Sequence, residues 1–471
     1  MSEIENEIVE NQLEHEDSLG EDTTRKLATV QTVTRLRPIE GADRIVLAEF
    51  SQCSWAVIMG IGEVAVGQKV VYFEPDSWLP NAERYAILKG RCDKVFKGKP
   101  GFRLKVIRLR GTISYGFAMP LTKEIFPELF DEFLGELQDG DDVTELLGVK
   151  LYEMPVIRGG YGFAIGKPIG NFPTHLVSKT DQTRVQSLGV KQLWNLLHSG
   201  FELTEKADGT SSTIIATKVC QTDEDETIWD FIVCSRNLKL KEPANEKVTY
   251  RDAEGNKIEK VEFVDSIYWR MANKYKIKER LIAVCHHLNR ELALQGEIVG
   301  PGVQGNKYNL DEPKLLVFDV WDIGIKRYVP PSERRRIIDM MNNLDLYGFP
   351  KLDVPDIEHV PIIDPCFSIA PTMDQCQAAI NDAKLYVRTA ADEGVSDWQL
   401  FTQCLLRSVV QSIVNMAEGE SKLHKTEREG LVFKSVLDPM QSFKCISNKF
   451  LLKQEKYYDS APKETTKEAA Q

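Results

Sequence analysis

Apolar and polar residues alternate over short runs between about residues 24 and 153, with turn signals between the runs. Ala28-Thr29-Val30-Gln31-Thr32-Val33 opens the series, and stretches 44–50, 55–59, 69–73 and 102–110 continue it. A half-buried strand shows this period of two because successive side chains face opposite sides. Short strands at regular spacing predict a small β-barrel or sandwich. Proline and glycine then crowd 154–173, which predicts a linker and a domain boundary. Within it, Gly159-Gly160-Tyr161-Gly162 has no following Lys-Ser/Thr and no preceding apolar strand, so it is not a phosphate-cradling loop.

After the linker the period changes. Val190, Leu193, Trp194 and Leu197 fall at i, i+3, i+4 and i+7, one face of a helix spanning 182–197. Strands are expected at 212–216, 228–234, 294–300 and 315–322, a helix over 267–294, and a loop or hairpin extension at 241–260. A helical insertion occupies about 332–422, with 372–418 its most helical part. Two more strands, 429–434 and 442–446, follow. The expected division is an acidic arm (1–23), a strand-rich domain (24–153), the linker (154–173), a second domain (174–455) and a polar tail (456–471).

Composition changes this picture in two places. The 471 residues carry a net charge of −12, which on its face disfavours a nucleic-acid partner. Residues 1–22, however, hold nine acidic side chains and no Lys or Arg. That is a disordered acidic arm, a docking segment for a protein partner. Between Lys89 and Arg110, nine Lys and Arg stand against one acid, Asp93. On a strand at 102–110, Arg103, Lys105, Arg108 and Arg110 face away from the apolar side and can track a phosphate backbone. An ordinary solvated face reads the same way. The nine cysteines form no Cys-x-x-Cys pair, which suits reduced thiols in a cytoplasmic or nuclear protein and excludes a disulfide framework. No secretory signal or membrane-length apolar run is seen.

The candidate chemistry centres on Thr204-Glu205-Lys206-Ala207-Asp208-Gly209. Lys206 is expected in a loop before the 212–216 strand, where its amine can act as a nucleophile. The same string also suits a polar hairpin turn. Further charges stand on or beside strands that otherwise read as core: Arg236, Glu297, Asp319, Glu429 and Lys444. Buried charges are costly without partners, so six of them point to one polar cleft. Such a set suits nucleotidyl transfer. Lys206 attacks an α-phosphate, Asp208, Glu297 and Glu429 offer hard oxygen ligands to Mg²⁺, and Lys444 offsets phosphoryl charge.

The ordered strings Lys206-Ala207-Asp208-Gly209, Ser235-Arg236-Asn237, Gly296-Glu297-Ile298, Phe318-Asp319-Val320, Glu429-Gly430-Leu431-Val432 and Phe443-Lys444-Cys445-Ile446 resemble motifs I, Ia, III, IIIa, IV and V of the covalent nucleotidyltransferases, the ATP-dependent ligases and capping enzymes. Motif I continues into Thr210-Ser211-Ser212 rather than an arginine, which favours an RNA ligase. The segment 295–306, with Lys179-Thr180-Asp181 and Arg184-Val185-Gln186 upstream, is similar to the nick-sealing branch of Deinococcus type.

The resemblance implies an α+β protein, an N-terminal OB-like β-barrel followed by a nucleotidyltransferase domain of antiparallel sheets plus helices (ATP-grasp-like). It implies ATP as AMP donor with Mg²⁺ or Mn²⁺, and a nicked RNA or RNA/DNA duplex as partner. Lys206 becomes the adenylylated lysine. Glu205, Asp208 and Gly209 belong to the nucleotide site, Arg236 contacts the nucleotide or a 5′-phosphate, and Glu297 contacts the ribose or metal. Phe318 stacks on adenine, Glu429 binds metal, and Lys444 contacts the α-phosphate. The family's motif V offers a second lysine where this chain has Ile446, and Lys449 and Lys453 are the two candidates for its charge. The alternatives are a capping-type guanylyltransferase, against which the front position of the OB-like domain speaks, and a non-catalytic nucleic-acid-binding protein of the same fold.

Overall fold

The structure, a computed structural model, describes residues 25–132, 136–152, 166–221, 227–251, 257–385 and 396–460. The acidic arm, the glycine string at 159–162, most of the linker and the last part of the tail lie outside these residues. No helix among the described residues is long and apolar enough to cross a membrane.

The front domain is a nearly closed barrel. One antiparallel sheet runs in the order Phe117–Pro120, Lys69–Phe73, Ala28–Pro38, Ile45–Phe50, Ala56–Gly60. A register shift between Val33 and Arg35 bends the long first strand. Its start pairs with Lys69–Phe73 and its end with Ile45–Phe50, the corner-turning use of a bulge. The expected strand at 102–110 is two strands. Lys99–Arg103 pairs with Ser77–Pro80 and Asp93–Phe96, whereas Val106–Leu109 forms a hairpin with Thr112–Tyr115. The break turns Arg103 inward. It is 2% exposed, 3.5 Å from Asp76 and over the Tyr152 ring, so it cannot face a phosphate backbone. Arg108 and Arg110 are exposed at the hairpin tip, and Lys105 is half-buried.

The second domain is built on two sheets. The larger orders Pro168–Asn171, Leu238–Leu240, Thr227–Ser235, Thr210–Gln221, Leu292–Val299, Lys314–Asp322 and Arg327–Tyr328, with Glu358–His359 parallel to Lys314–Asp322. The smaller orders Thr183–Arg184, Ser442–Ile446, Gly430–Ser435, Gly200–Lys206 and Ile362–Ser368. The expected 267–294 helix is two helices, Ile267–Lys274 and Ile277–Leu288, separated at Lys276, whose φ of 49° leaves the helical region. Within 332–422, Ile362–Ser368 is an edge strand of the smaller sheet, and the helices Met373–Lys384 and Asp397–Ala417 follow it.

Candidate active site

The chain leaves the smaller sheet at Lys206 and enters the larger one at Thr210. Lys206-Ala207-Asp208-Gly209 is therefore a crossing between sheets, because Gly200–Lys206 and Thr210–Gln221 do not pair with each other. Lys206 ends a strand instead of lying in a loop before one. Gly209 is dictated by space, since a Cβ there would stand 2.2 Å from the Ile298 carbonyl oxygen. The crossing opens onto a cavity of about 550 Å³ between the two sheets. Lys206, Asp208, Gly209, Arg236, Glu297, Phe318, Asp319, Glu429 and Lys444 all line it.

Each sheet places its share by strand register. Glu205 and Lys206 lie opposite Leu431 and Gly430, which brings the adjoining Glu429 to Lys206. The Lys206 ammonium donates to Glu429 Oε1 at 2.6 Å. On the larger sheet, Ser211 faces Glu297, whose Oε1 accepts the Gly209 N–H at 3.1 Å. Gln295 pairs with Asp319 and Gly296 with Val317. Phe318 is thus the extra residue of a bulge, and the irregularity lets both Phe318 and Asp319 reach the cavity.

The electrostatics follow from burial. Desolvation pushes the Glu297 carboxyl up to about 8 and raises Glu429 as well. Burial alone would lower Lys206, but Glu429 and then Glu297 hold its ammonium above the ordinary lysine value. Lys444 is lowered to about 8 by burial, partly opposed by Asp181 2.8 Å away.

Several expected roles need correction. Glu205 lines the cavity, but Ser421 Oγ and the Lys422 N–H occupy its carboxylate, so it also anchors the segment leading to Glu429. Asp208, Glu297 and Glu429 surround Lys206 without forming a shared metal cradle, and among the described residues no group of three or more His, Cys, Asp or Glu side chains is arranged for an ion. Asp208 is ion-paired with Lys307, Glu429 with Lys206, and Glu297 holds Gly209. Lys449 and Lys453 are exposed and do not line the cavity. They share one face of the Asn448–Ser460 helix, which turns Phe450, Leu451 and Gln454 to the cleft instead. Opposite Lys444 in the parallel pair of strands stands Arg184, which is ion-paired with Asp76.

Sequence reading also missed a buried ionic layer under Phe318. Glu202 pairs with Arg334 at 2.5 Å, with 0% and 1% of their side chains exposed. Arg334 also donates to the Phe318 carbonyl at 2.9 Å, and Lys434 pairs with Asp319. Lys434 is a single charge on an apolar strand, the same signal that singled out Glu297, whereas Glu202 shares its strand with Glu205 and Lys206. Arg25 and Asp76 of the front domain line the cavity too, and no local pattern marks them.

The RNA ligase family model matches residues 200–453, and an OB-fold domain model matches 27–121. No match is found among curated proteins. Solved structures of a Naegleria gruberi RNA ligase are 32% identical. A glutamate-to-alanine mutant with AMP and Mn has a TM-score of 0.65 and covers 92% of this chain and 99% of that one. A lysine-to-alanine mutant with ATP and Mn gives 0.64, 91% and 99%, and the ligase with pyrophosphate gives 0.64, 92% and 100%. With a front barrel, a two-sheet domain and the Lys206 crossing between its sheets, the chain belongs to the RNA ligase family.

Proposed function

We propose that the protein is an ATP-dependent RNA ligase of the Deinococcus-type nick-sealing branch, acting in RNA repair on nicked RNA or RNA/DNA duplexes. The observation that carries the reading is Lys206 at a sheet-to-sheet crossing, bonded to Glu429 and sharing its cavity with Glu297, Phe318 and Lys444. Lys206 Nζ attacks the α-phosphorus of ATP, the bond to the β-phosphate oxygen breaks, and pyrophosphate leaves. AMP then passes from Lys206 to a 5′-phosphate. Finally a 3′-hydroxyl displaces AMP and forms the phosphodiester.

Before the first step Lys206 must shed a proton. Glu429 is 2.6 Å away, and burial raises its proton affinity, so it is the base in reach. Phe318, held by Arg334 through its carbonyl, offers a ring to stack on adenine. Burial destabilises the charge of Glu297 and Glu429; Glu429 and Asp208 raise Glu297 further, and Asp208 raises Glu429. This is a hard-oxygen environment that suits a divalent cation. As they stand, Asp208, Glu297 and Glu429 are engaged by Lys307, Gly209 and Lys206; on exchanging those partners they would hold Mg²⁺ or Mn²⁺, which would supply positive charge at the α-phosphate. Relatives solved with ATP or AMP and Mn support a nucleotide and a divalent cation as the cofactors.

Incubation with α-labelled ATP and Mg²⁺ should give acid-labile covalent label, and α-labelled GTP should not. Label from GTP alone would mark a capping-type enzyme, and no label a binding protein.

The pH profile is set by Glu297, the Lys206–Glu429 pair and Lys444. Glu297, at about 8, must ionise to serve as an anionic ligand, and the Lys206–Glu429 pair must release its proton, so labelling rises with pH. Lys444, also at about 8, is cationic below that value and loses its charge above it. The kcat/KM for ATP in self-adenylylation should form a bell near pH 8. Asp181 raises the Lys444 pKa, so Asp181→Asn moves the falling limb to lower pH. An unmoved limb excludes Lys444 as its source.

At the hairpin tip, Arg108→Glu with Arg110→Glu should weaken sealing of a nicked duplex roughly tenfold at moderate salt, leave self-adenylylation intact, and flatten the salt dependence of sealing. Equal loss of both activities removes the strand-tracking role.

A further inference from the structure

The helices Met373–Lys384 and Asp397–Ala417 contribute nothing to the cavity lining, yet the second is tied to both domains. Along one side, Leu406, Val409, Val410 and Ile413 join the apolar cluster of Phe201, Leu203, Phe433 and Phe443. That cluster backs the strands ending in Lys206 and carrying Lys444. From the same helix Arg407 reaches into the front barrel. It pairs with Glu49 Oε2 at 3.1 Å and donates to Thr34 Oγ1 at 3.2 Å and to the Phe50 carbonyl. Asp382 on the preceding helix takes Arg35 at 2.6 Å.

The rest of the seam runs from this brace to the cleft. The Ser54 N–H donates to the Gln186 carbonyl at 2.8 Å, Trp55 Nε1 donates to Ser187 Oγ at 3.0 Å, and Asp76 pairs with Arg184 at 2.6 Å. At its far end the barrel presents Arg25, Asp76 and Tyr152 to the cavity. The barrel therefore supplies one wall of the site, and it is held by the helical pair, by residues 184–187, and by its 106–115 hairpin, which packs on Phe450 and Leu451 and bonds Tyr115 to Asn448.

Resting on the RNA ligase reading, the geometry points to Arg407 as a positioning residue for the nucleic-acid strand. The helical pair braces the OB-fold barrel against the catalytic sheet, so the barrel wall meets a 5′-phosphorylated RNA end in register with Lys206. Lys206, Glu297, Phe318 and Glu429 belong to the two ligase sheets and make none of the brace contacts, so AMP transfer to the protein does not need the brace. Arg407 gathers three acceptors from three residues on two strands, which fixes orientation as well as distance. Glu49 also keeps Arg37 at 2.7 Å, so removing Arg407 leaves no unpaired buried carboxylate and the chain should still fold.

The test compares wild type, Arg407→Ala and Arg407→Lys. For Arg407→Ala, sealing of a 5′-phosphorylated nick in an RNA-containing duplex should fall roughly tenfold, mainly through KM for the duplex, since small misplacements are costly in a two-substrate site. Covalent AMP labelling should stay within about twofold, because its residues are untouched. Amide exchange should speed up along 45–50 and 183–187 but not along 200–206. Arg407→Lys, which keeps the pairing with Glu49, should recover part of the sealing. Equal loss of labelling and sealing, or unchanged exchange at the seam, overturns the brace. If wild type labels with AMP yet seals no RNA, the ligase reading fails, and the exchange comparison still decides the brace.

Discussion

Lys206→Ala abolishes covalent AMP transfer to the protein, a loss on the order of a thousandfold or more, while ATP still binds. The reasoning starts from position. Lys206 is the last residue of a buried strand, and its side chain reaches the cavity where the chain crosses between sheets. Among the cavity-lining lysines, Lys444 is held by Asp181 and Lys434 by Asp319. Lys206 stands at the crossing itself, paired with Glu429, whose proton affinity burial raises. Alanine removes the amine without touching Phe318, Arg236 or Lys444, so nucleotide affinity measured by calorimetry should change little. A nick already carrying AMP on its 5′-end bypasses the missing nucleophile, so the mutant should seal it while failing on an ordinary 5′-phosphate. Residual label in Lys206→Ala, stable through denaturation, would place the nucleophile elsewhere.

Much of this site is legible in the sequence because catalysis forces charges onto strands that must otherwise be apolar. Glu297, Asp319 and Lys444 break their strands' pattern, and their order along the chain matches the motif order of one family. The OB-like barrel is legible for a similar reason, since short strands at regular spacing leave few other folds. What escapes reading depends on distant partners. Arg103 looks like a solvated residue until the strand is seen to break and Asp76, far off in sequence, is found facing it. Lys449 and Lys453, the two downstream candidates for a second charge beside Lys444, stay outside the cavity. A parallel pairing instead sets Arg184, some 260 residues upstream, opposite Lys444, and nothing local announces such a pairing. The helices of the 372–418 stretch read correctly as helices, but their contact with the barrel through Arg407 has no sequence signal.

The buried layer beneath Phe318 should dominate the stability of the ligase domain. Glu202→Leu is expected to destabilise the protein by about 3–5 kcal/mol, the cost of stranding a buried charge. Glu202 is fully buried between Arg334 and Arg335. Once it is lost, Arg335 can turn to water because a third of its side chain is already exposed. Arg334 cannot, and it keeps only the Phe318 carbonyl. Lys434 lies directly across the strand pair from Glu202 and already sits near 7 through burial, with Glu202 opposing the shift. Without Glu202 its charged form becomes costlier still. Replacing the pair together, Glu202→Leu with Arg334→Met, should restore most of the loss, because two apolar side chains fill the space without desolvation cost. Urea unfolding followed by tryptophan emission measures both variants, and coupling is read from the double-mutant cycle. If the double variant is as unstable as the sum of the single ones, the two charges do not act as a pair. The platform that Arg334 provides for Phe318 would then owe its rigidity to the strand bulge alone.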